Sequence, residues 1–73
     1  MFKTSDILLA AYLRLMGCKL QSIERQDTRG VFIFKEVDEA KITAFDLGNA
    51  MVEPRTFNEE VKALTAAAKR NYN

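Results

Sequence analysis

Val31, Phe32, Ile33 and Phe34 are four large apolar side chains in consecutive positions, and neighbouring side chains on a strand point to opposite faces. Val31 and Ile33 therefore look one way and Phe32 and Phe34 the other, so both faces need cover. That is a heavy demand on 73 residues, because a chain of this size draws only ~3–5 kcal/mol from a single core. Small domains gain the rest from disulfides, a structural metal or oligomerisation. Cys18 is the single cysteine, so no internal disulfide forms. With no histidine and one thiol there is no tetrahedral zinc set, and no D-x-D-x-D-G loop offers a calcium site. No cofactor or metal is expected. Oligomerisation remains, and the expected state is a homodimer.

Around that strand the chain reads as an α+β fold: helix, β-hairpin, two helices, in a single small domain over 1–73. The first helix covers about 5–16, with Thr4 or Ser5 as cap, Asp6 at the positive end of the dipole, and Gly17 as a left-handed stop. Its apolar residues run nearly all round, and Arg14 alone clearly wants water. Such a helix is either a buried centre or one with an internal and an external contact. The hairpin covers about 20–36. Leu20 and Ile23 break strict alternation and mark a bulge or an early bend. Asp27 opens the turn "DTRG", and Gly30 is expected to close it with a positive φ.

A second helix covers about 38–47, capped by Asp38, with Val37, Ala40, Ala44 and Leu47 on one stripe widened by Ile42 and Phe45. Gly48 lies near its end. Pro54 holds Glu53 extended, and Met51 and Val52 either plug a gap or add a third strand. The last helix covers about 56–70: Thr56 and Glu59 have capping-box spacing, and Phe57, Val61, Leu64 and Ala68 form its apolar stripe.

The segments "TSDILLAAYLRLMGCKL", "IERQDTRGVFIF" and "GNAMVEPRTF" resemble a family of small uncharacterised bacterial and phage proteins, a domain of unknown function. The resemblance is carried by Ser5 and Asp6, by Leu13, Gly17, Cys18 and Leu20, by Phe32 and Phe34, and by Ala50, Val52, Glu53, Pro54 and Phe57. Cys18 departs from the pattern, where an aromatic or histidine is commoner. The resemblance implies a phage or mobile-element origin and brings no catalytic residue with it.

Composition excludes more than it suggests. Eleven basic and ten acidic residues leave a net charge of +1, so no global field draws the chain to nucleic acid or anionic lipid. Asp6 interrupts any signal-peptide n-region, and "ILLAAYL" is too short to cross a bilayer. A cytoplasmic protein with no membrane contact is expected. No glycine-rich phosphate loop exists, Ser5 lacks a histidine base, and Glu59 and Glu60 point in different directions on a helix. An enzyme is not expected; only a fast-alkylating Cys18 would reopen that reading.

Two binding surfaces remain. The apolar excess on the first helix and the strand nominates Leu9, Leu13, Met16, Phe32 and Phe34 for a self- or partner-interface. This supports a homo-oligomeric protein-interaction factor of phage or mobile-element type. The alternative is a nucleic-acid-binding accessory protein using Arg25, Arg29 and Lys35 on the hairpin with Arg55, Lys62 and Lys69 on the last helix. Glu24, Glu36, Glu59 and Glu60 dilute both basic sets, and the plainer reading of each is a mixed solvated face.

Overall fold

The structure, a computed structural model, describes residues 1–71. In chain order the elements are β1 (Phe2–Thr4), α1 (Ile7–Leu15), β2 (Leu20–Gln26), β3 (Arg29–Phe34), α2 (Glu39–Asp46) and α3 (Pro54–Arg70). The strands form one antiparallel sheet in the order β1-β3-β2. The α+β class is as expected, but the third strand comes from Phe2–Thr4 and not from Met51 and Val52, which have no strand structure. The doubly apolar strand β3 thus lies in the middle of the sheet, with a neighbour on each side.

The expected irregularity in β2 is a bulge. Leu20 pairs with Phe34 and Ser22 with Ile33, so Gln21 is the extra residue, and Ile23 then falls opposite Phe32. Because one residue is looped out, Leu20 and Ile23 land on the same face despite their spacing of three. On that face Phe2, opposite Phe34, joins them. These side chains pack with the buried Leu9, Ala10, Ala11, Tyr12 and Leu13 of α1 and Leu64 and Ala68 of α3. Phe34, Leu13 and Leu64 are fully buried, each contributing roughly 1.5–3 kcal/mol.

The all-round apolar helix is a buried centre. The sheet lies beneath α1, and α2 and α3 both contact it. Ala50 and Val52, from the link between those helices, pack against the same cluster. Tyr12 meets Phe45 of α2 with ring centroids 5.7 Å apart. On the α3 side Arg14 Nε lies 2.9 Å from Glu60 Oε1. That oxygen is buried without a well-aligned hydrogen bond, so the contact is a charge pair without directed geometry.

Helix ends account for several short sequence features. The cap of α1 is Asp6, which accepts from the N–H groups of Leu8 at 2.9 Å and Leu9 at 3.3 Å. Thr4 is instead the last residue of β1, and its hydroxyl accepts from Asp6 N–H at 3.0 Å. At the other end Cys18 N–H donates to Leu13 O at 3.0 Å and Gly17 N–H to Arg14 O at 3.1 Å. This is a Schellman closure, with Gly17 at φ 91°. Cys18 is its second apolar residue, half-buried against the core. The end of α2 repeats the closure: Gly48 at φ 75° donates to Phe45 O and Asn49 to Ala44 O.

The last helix begins at Pro54, two residues earlier than expected. Glu53 caps it, accepting from Arg55 N–H at 2.9 Å and from Thr56 N–H at 2.8 Å, while Thr56 Oγ1 donates to the same carboxylate at 3.0 Å. Proline fits the first helical position because its missing N–H would have been unsatisfied there. Val52 and Phe57 occupy the positions of a hydrophobic staple, and both pack on the core.

The hairpin turn also differs from the expected one. Gln26 pairs with Arg29, which leaves Asp27 and Thr28 as a two-residue loop. Asp27 carries the positive φ, 56°, a conformation that aspartate tolerates better than most residues. Gly30 is an ordinary strand residue paired with Arg25.

Candidate functional site

Four of the five nominated interface residues belong to the chain's own interior. Leu9 is 7% exposed, Phe32 3%, and Leu13 and Phe34 0%. They face one another across the sheet and α1, so none of them presents surface to a partner. Met16, at the end of α1, is the only one of the five that reaches solvent, at 36%.

Of the basic residues, Arg25, Arg29, Lys35, Arg55, Lys62 and Lys69 are all exposed, but the fold divides them. Arg55, Lys62 and Lys69 lie on α3, the helix that covers the Phe32–Phe34 face. Arg25 is paired with Gly30 and so belongs to that same side of the sheet; its Nε donates to Asp27 O at 2.9 Å, bracing the turn. Arg29 lies on the opposite face with Val31 and Ile33, whereas Lys35 stands at the bend just past the end of β3.

That opposite face is built differently from the helix-covered one. Val31 and Ile33 are buried yet lie outside the helix-packed cluster. Their cross-strand neighbours are polar: Lys3 and Ser22 flank Ile33, and Glu24 flanks Val31. Long polar side chains cover apolar neighbours with their stems while holding the charged ends in water. The second face of β3 is therefore closed from within the sheet. Lys3, Ser22, Glu24, Gln26 and Arg29 are all exposed around it. Lys3, Arg29 and Val31 line one groove of about 510 Å³.

Lys3 escapes a linear reading, because the three residues of β1 are too few to show an alternation before the cap of α1. Lys3 and Arg29 stand on this sheet face, with Lys35 at the bend beyond its end; the carboxylates near them are Glu24 on the same face and Asp27 at the turn, which lines the groove with them.

Where α1 ends, a second concavity opens. A cleft of about 560 Å³ is lined by Cys18, Lys19, Lys35, Glu36, Asp38 and Lys41, among others. Lys41 Nζ donates to Met16 O at 3.2 Å, and Asp38 Oδ1 accepts from Ala40 N–H at 2.9 Å as the cap of α2. Lys19 and Lys41 escape a linear reading because their nearness to Lys35 arises only from the fold. Hydrogen bonds from the Arg55 and Thr56 backbone N–H groups, and then from the Thr56 hydroxyl, hold the Glu53 carboxyl below its ordinary value of 4.5.

Among the described residues no group of histidine, cysteine, aspartate and glutamate could hold a metal ion, and no helix is long and apolar enough to cross a membrane. No curated protein and no solved structure matches the chain. A family model does match, over residues 1–67 and thus over β1, both Schellman closures, the sheet and most of α3: the chain belongs to the family described as Domain of unknown function (DUF5659).

Proposed function

We propose that this domain is a non-enzymatic binding module whose open sheet face docks on the phosphodiester backbone of a nucleic-acid strand. The observation that carries the reading is the pair Lys3 and Arg29 on the face that the helices leave uncovered, with Lys35 at the bend beyond its end. A broad sheet surface is a known platform for single strands. Among the described residues no aromatic side chain stands on this face, so the contact proposed is with phosphates and is tolerant of sequence. A phage or mobile-element setting, which the sequence resemblance implies, and a cytoplasmic location fit such an accessory role.

The test is fluorescence anisotropy with a labelled single-stranded oligonucleotide at several salt concentrations. Three phosphate contacts give a log–log slope near −2, at about −0.7 per contact, and so about a 20-fold loss of affinity between 50 and 200 mM salt. Lys3→Gln with Arg29→Gln should cut the slope by more than half. Absence of binding at ~50 mM salt would sink the proposal.

Self-association remains a second reading, and one observation favours it. Met16, Leu8, Leu47 and Met51 stay exposed, the last two at 69% and 89%, and a homodimer or a protein partner would cover them. Light scattering across a dilution series decides this: a molar mass twice that of the chain supports it, and a monomer at all concentrations removes the homodimer.

A further inference from the structure

We propose that the cleft at the C-terminal end of α1 is a receptor for a phosphate monoester, a site that shares only Lys35 with the sheet-face surface. Lysines from three segments line it: Lys19 from the link between α1 and β2, Lys35 beyond β3, and Lys41 from α2. Among the described residues none of the three lies within ion-pair distance of a carboxylate. Lys41 is held in place by its hydrogen bond to Met16 O, which consumes one of its three protons and none of its charge. Two carboxylates, Glu36 and Asp38, share the rim; Asp38 accepts from the N–H of Ala40 through one oxygen and keeps its charge, so the three lysines exceed the carboxylates of the lining by one positive charge. Like charges gathered in one concavity repel, and a compact dianion that bridges them converts the repulsion into binding. The cleft is open and large enough to admit the phosphate together with part of whatever carries it.

Because Lys35 belongs to both surfaces, the test uses the other two lysines. Amide chemical shifts are followed by NMR while inorganic phosphate is added, with sodium chloride at matched ionic strength as control. Saturable shifts are expected at Gly17, Cys18, Lys19 and Val37, with little change at Lys62 and Lys69. Lys19→Gln with Lys41→Gln should weaken phosphate binding at least tenfold, and Lys19→Arg with Lys41→Arg should retain it, which separates lost charge from lost folding. Lys3→Gln with Arg29→Gln should leave it unchanged, so failure of the sheet-face reading and failure of this one are distinguishable. Shifts that grow linearly, that chloride reproduces, or that persist in the Gln pair would overturn the proposal. A tenfold preference for a 5′-phosphorylated over a 5′-hydroxyl oligonucleotide supports it and identifies the source as a strand end. Phosphate binding without that preference supports it with a free phosphorylated small molecule as the source.

Discussion

The bulge in β2 makes two one-residue deletions, three positions apart, behave in opposite ways. Gln21 is the residue that faces no partner: Leu20 is opposite Phe34 and Ser22 opposite Ile33. Deleting Gln21 joins two residues that already pair with consecutive positions of β3. The strand becomes regular, Leu20 and Ile23 keep their places over Phe34 and Phe32, and the change in stability stays within about 1 kcal/mol. Deleting Glu24 removes a paired residue instead. With Arg25 held opposite Gly30, Ile23 moves opposite Val31 on the polar face, and Ser22 turns inward over Phe32.

Losing the burial of a half-buried Ile23 costs roughly 1–2 kcal/mol, and placing the Ser22 hydroxyl in the core without a partner costs about 1–3 kcal/mol more. The total of roughly 2–5 kcal/mol compares with the ~3–5 kcal/mol that a core of this size supplies. Urea denaturation followed by circular dichroism should show a cooperative transition near the parent midpoint for the first deletion. The second should be largely unfolded without denaturant. Equal midpoints for the two, or unfolding of the Gln21 deletion alone, would refute the assignment of the bulge.

Other substitutions probe the remaining supports. Leu13→Ala, at a fully buried position of α1, should cost about 2–5 kcal/mol by chemical denaturation; a small cost accompanied by a change in molar mass would return Leu13 to an interface. Gly17→Ala meets no atom within 4 Å but must hold φ 91°, so roughly 1–2 kcal/mol should be lost through backbone strain alone, and Gly48→Ala should follow it in thermal melts. Because folding lowers the Glu53 carboxyl, its cap stabilises fully above about pH 4.5 and is lost as pH falls through the folded value. Glu53→Gln should flatten that part of the stability–pH curve, and an unchanged curve would remove the role of the charge. Glu60→Gln should cost no more than about 1 kcal/mol, decreasing with salt, since Arg14 is well exposed.

Much of this architecture can be read from residue order, where the signal is local. Asp38 caps α2 as expected, Gly17 ends α1, and the spacing of Leu20 and Ile23 announces the bulge. Local signals mislead where two structures share one vocabulary. "FKTSD" contains cap-forming residues, and its first three positions are too few to show an alternation, so β1 hides behind a helix start. Glutamate is an uncommon cap, which is why Thr56, three residues into α3, takes the role in a linear reading. The apolar excess is a matter of tertiary arrangement: that α1 is enclosed on several sides, and that polar stems shield Val31 and Ile33, follows from the sheet order and not from any spacing. For the same reason the basic residues were visible individually while their grouping was not. Lys3 joins Arg29 through a ladder, and Lys19 joins Lys35 and Lys41 through the meeting of three segments.

The sheet order also sets a timetable for assembly. Strands β2 and β3 meet across a two-residue loop, whereas Phe2 must find Phe34 from the far side of α1 and β2. Closing the longer span carries a larger entropic cost before any contact repays it. Held by only three residues, β1 joins last and opens first. In native-state hydrogen exchange its amides should report sub-global opening well below the free energy of complete unfolding, while those of β3 that bond to β2 persist. Each such opening would remove Lys3 from the sheet face and bare one flank of Ile33, so the rate at which β1 comes and goes would set how long the basic pair stays whole.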